Sequence, residues 1–175
     1  MLSKGALRLL ALATCVLTTE ASAAEVTAQD VQVIGRAISF KEGRKRGTMS
    51  LAIVYVAGSA RSQGEMRAAI DVLGTGLKVG DSVFRGVAVE QSSFASAAGY
   101  DGVFTTSDVD QNRLRNALNG RGVPCFTLDA QQVRNGACTI VVRSRPAVSI
   151  SISADNAAAA GVRFATAFLM MVREI

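Results

Sequence analysis

The segment TMSLAIVYVAG, residues 48–58, is a continuous apolar run rich in β-branched side chains and without a polar face. Such a run is typical of a central strand covered on both sides, because a strand with one solvated face would alternate apolar and polar residues. Turn residues and the helical segment EMRAAIDVLGTGL follow it, and Ser59 or Ser62 can cap that helix. The chain is therefore expected to fold around a buried sheet with helices on both faces.

Strand and helix patterns alternate through the first two thirds of the chain. Residues 27–39 place Val31, Ile34 and Ile38 at helical spacing after the N-cap residue Thr27. Further strands are predicted in SVFRGVAVEQS, YDGVFTTS, VPCFTLD and ACTIVVRS, and a helix opened by Ser107 or Asp108 in SDVDQNRLRNALNG. This alternation predicts parallel strands.

The last third of the chain departs from that alternation. PAVSISISA alternates strictly and follows a tight turn at Arg145-Pro146, which predicts an antiparallel hairpin at one side of the sheet. DNAAAAGVRFATAFLMMVREI reads as a final helix capped by Asp155 or Asn156. The predicted fold class is α/β, three-layered, with a mixed sheet, a C-terminal β-hairpin and a closing C-terminal helix.

The closing helix is apolar over more than one face. Phe164, Phe168 and Met171 form one stripe, and Val162, Ala165, Leu169 and Val172 form another beside it. A helix of this kind is either buried in its own core or pressed against a partner, a second copy of the chain included. The candidate partner surface consists of Val162, Leu169 and Met170 with the flanking Arg163 and Arg173.

The N-terminus has the pattern of an export signal. Lys4 and Arg8 precede an apolar run over residues 9–17, and small residues at 21–23 end in a predicted cleavage site between Ala23 and Ala24. Residues 1–23 are then a signal peptide and residues 24–175 one domain. The alternative is a lipoprotein acylated at Cys15, because Leu-Ala-Thr-Cys loosely resembles a lipobox.

Cleavage at that site would leave two cysteines, Cys125 and Cys138. Exported thiols meet an oxidising environment, which favours a structural disulfide between them. Two free buried thiols and a redox pair are the alternatives, although the spacing is not C-x-x-C. A zinc site would need four ligands, and the chain has no histidine.

The composition argues against catalysis and against nucleic acid. A cysteine nucleophile would need a base beside it, and the carboxylates Asp108, Asp110, Asp71 and Asp81 show only capping and surface patterns. No catalytic residue, cofactor or metal is expected. Nucleic acid is disfavoured by export and by an aromatic content of 5%.

The order of these segments resembles the YfiR family of exported bacterial regulatory proteins. The likeness covers most of residues 28–173 and rests on the strand-helix-strand centre in residues 99–133 and on Asn156, Ala157 and Gly161, which follow a strand and lead into the final helix. It implies a periplasmic regulator or adaptor in cyclic-di-GMP signalling, which restrains a membrane-bound diguanylate cyclase by binding its periplasmic part. The alternative hypothesis is a periplasmic small-molecule binding protein that uses the loop AGSARSQG, residues 57–64, after the central strand. No ligand is identified by the sequence.

Overall fold

A computed structural model describes residues 26–175. The predicted signal peptide, its cleavage site between Ala23 and Ala24, and Cys15 lie outside these residues. Within 26–175, no helix combines the length and the apolar character needed to cross a membrane.

One mixed sheet of eight strands organises the described chain, in the order β2-β3-β1-β4-β5-β6-β7-β8. Strands β3, β1, β4, β5 and β6 run parallel, β2 and β7 run antiparallel to their neighbours β3 and β6, and β8 is parallel to β7. The strands are β1 Gly47–Tyr55, β2 Leu77–Val79, β3 Ser82–Glu90, β4 Gly102–Thr105, β5 Cys125–Thr127, β6 Ile140–Arg143, β7 Ser149–Ile152 and β8 Arg173–Glu174. The α/β class, the mixed sheet and the hairpin β6-β7 are as predicted.

Six α-helices are described, together with a 3₁₀ turn at Gln91–Ser93. They are α1 Ala28–Ser39, α2 Ala60–Leu73, α3 Gln111–Leu118, α4 Ala130–Arg134, α5 Ala154–Ala160 and α6 Thr166–Leu169.

The helices cover both faces of the sheet. A Cβ on Gly35 of α1 would touch Phe84, and a Cβ on Gly86 would touch Leu73 of α2. Because Phe84 and Gly86 are two residues apart on β3, α1 and α2 share one face. The opposite face bears Thr105, which bonds α4, and α3 and α5 pack beside α4. Both faces of β1 are thus buried from Leu51 to Val54, as the apolar run predicted.

The helix starts follow local hydrogen bonding. Thr27 and Asp30 form a capping box at α1, and the Ser59 hydroxyl accepts from the Ser62 amide at α2.

The predicted cap of α3 is wrong, because Asp110 caps it. Ser107 bonds Glu65 of α2 instead, and Asp108 bonds Ser59. Ser153, and neither Asp155 nor Asn156, caps α5.

The closing helix is not continuous over 155–175. It ends at Gly161, whose positive φ of 71° suits a residue without a Cβ. The next residues then pair with the loop after α1: the Glu42 amide donates to the Arg163 carbonyl at 2.9 Å and the Ala165 amide to the Phe40 carbonyl at 2.9 Å. This pairing seats Phe168 against Phe40, with ring centroids 5.4 Å apart. The backbone bonds made outside the helix therefore keep the chain from extending it.

Two short edge strands were not predicted. Leu77–Val79 forms β2 through a tight reversal at Gly80, and Arg173–Glu174 adds β8 next to β7. Segments of two or three residues carry no alternation that sequence reasoning can detect.

Candidate functional site

The two cysteines form a disulfide inside the core. Cys125 opens β5, Cys138 lies two residues before β6, and their Cα atoms are 4.8 Å apart. Both residues are fully buried, beside Thr105 and Gln132. The predicted bridge is confirmed, and its burial makes it a structural link between two neighbouring strand segments.

The point where the chain direction switches lies between β1 and β4. Strand β1 leads into α2 on one face and β4 leads into α3 on the other, an arrangement that places ligands outside the carboxyl ends of the strands in many α/β proteins. Here this point is spanned by hydrogen bonds. The hydroxyls of Ser62 and Thr106 are 2.6 Å apart, and the Ser59 hydroxyl donates to the Asp108 carboxylate at 2.6 Å. The segment AGSARSQG was predicted as a loop, but α2 already begins at Ala60 within it, and its Ser59 and Ser62 hold the two strand ends together.

Glu65, one turn further along α2, also joins α2 to the loop after β4. Its carboxylate accepts from the Ser107 amide at 2.6 Å and from the Ser107 hydroxyl at 2.7 Å, and Arg61 is 3.3 Å from it. The carboxylate is thus neutralised and fully engaged within the chain.

An open cleft of about 290 Å³ lies beside the closed switch point, outside the carboxyl ends of β4, β5 and β6. We call it the carboxyl-edge cleft. Its polar lining residues are Arg61, Glu65, Thr105, Ser107, Thr127, Asp129, Gln131, Arg134 and Arg143. Asp129 is occupied as the N-cap of α4, where it accepts from the Gln131 amide at 2.8 Å. Within residues 26–175, the guanidinium groups of Arg134 and Arg143 make no hydrogen bond or ion pair.

The predicted partner residues are divided by the break in the closing helix. Val162 is only 4% exposed, so its place in that surface is corrected to the core. Arg163 is exposed and lies 3.3 Å from Glu42. Leu169 is 47% exposed and Met170 is 83% exposed. Arg173 is exposed on the edge strand β8.

Met170 is flanked in the chain by two further exposed apolar side chains, Leu169 and Met171. Met171 is 65% exposed and Val148, in the hairpin turn, is 53% exposed. Met171, Val148 and Arg173 line a cleft of about 450 Å³ on the β6-β7-β8 side of the sheet. Leu169 lines another cleft of about 450 Å³ with Arg163. We refer to Leu169, Met170, Met171 and Val148 as the C-terminal patch.

Sequence reasoning missed four residues of these sites. Met171 was assigned to the same stripe as Phe164 and Phe168, which are buried, whereas Met171 is exposed beyond the end of α6. Val148 belonged to an alternating strand and gave no sign of exposure. Nothing in the sequence links Arg134 to Arg143, since only the sheet brings the ends of α4 and β6 to one cleft.

No protein-family model matches this chain, and none of the curated proteins matches it.

Proposed function

We propose that this protein is an exported regulatory or adaptor protein that acts by binding another protein. Its most specific form rests on the resemblance of the sequence to the YfiR family: the partner is then the periplasmic part of a membrane-anchored signalling protein, and binding restrains a membrane-bound diguanylate cyclase. The observation that carries the proposal is the C-terminal patch, with its core of three successive exposed apolar side chains.

Exposure of this patch to water is unfavourable. Covering apolar surface stabilises a complex by roughly 25 cal/mol per Å² before the costs of association are subtracted. Met170 and Met171 are unbranched and flexible, and such side chains adapt to irregular partner surfaces. Contiguous exposed apolar residues next to charged ones are typical of protein-binding surfaces.

An arginine beside Met171 favours an acidic partner. Arg173 lines the same cleft as Met171, and its guanidinium makes no hydrogen bond or ion pair within the described chain. An unpaired arginine at the rim of an interface favours association with a surface of opposite charge.

The disulfide supports export as part of the proposal. Stable structural disulfides are typical of proteins that mature outside the cytoplasm. The bridge fits the N-terminal export pattern, in which a basic lead and an apolar run precede Ala23. A periplasmic location is proposed on these two features.

Site-directed photo-crosslinking in cells tests the proposal. A photoreactive amino acid at Met170 should crosslink to an integral membrane protein that contains a cyclase domain. The same label at Arg113, exposed on α3 and away from the patch, should not. Crosslinking of two copies of this chain through Met170 would instead assign the patch to self-association.

A cellular readout separates restraint from mere binding. Deleting the gene should raise the cellular cyclic-di-GMP level, and restoring the wild-type gene should lower it again. Met170→Asp, which adds a charge at an 83% exposed position, should leave export intact and fail to lower the level. Full restoration by Met170→Asp would contradict the proposed role of the patch.

A further inference from the structure

We propose that the carboxyl-edge cleft binds a small molecule that carries a carboxylate or phosphate group, held by the guanidinium groups of Arg134 and Arg143. The residues proposed to bind the anion are not those of the C-terminal patch, so the inference does not depend on a protein partner.

The position of the cleft is the first argument. It lies outside the carboxyl ends of the parallel strands β4, β5 and β6, where α/β sheets commonly bind ligands. The crevice between β1 and β4 is closed by the Ser62–Thr106 and Ser59–Asp108 contacts. The open space at this edge is therefore displaced toward Arg134 and Arg143.

The charge distribution in the cleft is the second argument. Three arginines and two carboxylates line it. Glu65 is engaged by Ser107 and Arg61, and Asp129 caps α4. The guanidinium groups of Arg134 and Arg143 have no partner within residues 26–175. The three arginines and two carboxylates leave the lining a net charge of +1, which favours an anion.

The chemistry of the arginines indicates the class of ligand. A guanidinium presents paired N–H donors that match the oxygens of a carboxylate or phosphate, and such charge-assisted bonds are stronger than neutral ones. Thr127 adds a hydroxyl: its oxygen accepts from the Asp129 amide at 3.1 Å, which leaves its proton free to be donated. A volume of about 290 Å³ is close to the lower end of the range for small-ligand pockets.

The same two arginines, Arg134 and Arg143, also line the cleft of about 450 Å³ that contains Met171 and Val148. An anion bound to these side chains would lie next to the C-terminal patch.

Amide NMR titration of the disulfide-bonded protein tests this inference, with inorganic phosphate and succinate as probes at constant ionic strength. We expect shifts centred on Ser107, Thr127 and Gln131, saturating with at least one probe. Saturation with phosphate alone, succinate alone or both identifies which anion the site accepts. Shifts that sodium chloride reproduces, or that centre elsewhere, would overturn the inference.

Matched variants assign the binding to the two arginines. Arg134→Gln and Arg143→Gln should each weaken binding about tenfold, because each removes a charge-assisted interaction. Arg113→Gln removes the same charge from an exposed position outside the cleft and should leave the affinity unchanged. Equal weakening by all three variants would show only general charge attraction and would overturn the inference. The crosslinking at Met170 has a different readout, so either proposal can fail alone.

Discussion

At the scale of single residues, buried polar side chains beside the disulfide join the sheet to α4. The Thr105 hydroxyl donates to Gln132 Oε1 at 2.7 Å, and Gln132 Nε2 donates to the Thr106 carbonyl at 2.8 Å. Gln132 is buried, so water cannot replace these bonds without opening the structure. The amide of Gln132 thereby fixes α4, and with it Arg134, against the end of β4.

Replacing the side-chain amide of Gln132 should destabilise the protein. We expect Gln132→Leu to lower the free energy of unfolding by about 2 kcal/mol, because the Thr106 carbonyl loses its partner in an environment without water. Urea unfolding measures the change. Gln131→Leu is the control, since Gln131 is exposed and should change stability by less than about 0.5 kcal/mol. Equal midpoints for both variants would contradict the proposed role of Gln132.

Alanine substitutions at two glycines are expected to change the stability of the protein in opposite directions. A Cβ on Gly136 would collide with the Gln132 carbonyl oxygen and the Gln111 side chain, whereas a Cβ on Gly64, inside α2, would meet nothing within 4 Å. We expect Gly136→Ala to destabilise the protein by about 2 kcal/mol and Gly64→Ala to stabilise it by about 0.5–1 kcal/mol. Thermal unfolding should therefore show a lower midpoint for the first and a higher one for the second. A shift of the same sign in both would refute the packing argument.

At the scale of elements, the basic loop between α1 and β1 is attached to the turn between β2 and β3. Arg44 lies 3.2 Å from the Asp81 carboxylate and Arg46 lies 3.8 Å from it. Hydrogen bonding by Arg44 lowers the pKa of Asp81 below its usual 3.8. The loop is thus attached at one point to the edge of the sheet.

This contact predicts a pH dependence. Because the folded-state pKa of Asp81 is lowered, the pair favours the folded state above pH 3.8, and its contribution is lost as the pH falls through the lowered value. Carboxyl NMR titration of Arg44→Gln should show the pKa of Asp81 rising toward 3.8. Arg46→Gln should move the pKa less, because Arg46 is the more distant and more exposed partner. An unchanged pKa in Arg44→Gln would show that Arg44 is not its cause.

The end of α5 depends on contacts with residues outside the helix. The alanine run 157–160 and the apolar residues after it have a helical pattern, and Gly161 by itself does not require a helix to end. The end is fixed by a local cap, in which the Val162 amide donates to the Ala157 carbonyl at 2.8 Å, together with the bonds that Arg163 and Ala165 make with the loop after α1. These bonds bury Phe164 and Phe168 and leave Met170 and Met171 beyond the core.

At the scale of the whole molecule, the disulfide holds the parallel strands to the hairpin side of the sheet. Replacing both cysteines by serine should lower the free energy of unfolding by about 3 kcal/mol, the value expected for a loop of this size. The exported wild-type protein should be two hydrogen atoms lighter than its reduced form by mass spectrometry. Treatment of the unreduced, unfolded wild type with an alkylating reagent is the control. Two reactive thiols in that protein would contradict a formed bridge.

The amino-acid sequence by itself determined the sheet of covered strands, the hairpin, the start of α1 and the cysteine pair. Each follows from short-range patterns: an unbroken apolar run, strict alternation, a capping box and a cysteine count. Only the tertiary structure decided the cap of α3, the break at Gly161, the burial of Val162 and the meeting of Arg134 with Arg143. These features depend on contacts between residues that are far apart in the chain. Local propensity does not indicate which distant group will hydrogen-bond to a carbonyl or cover a side chain, or which charged group will have no partner.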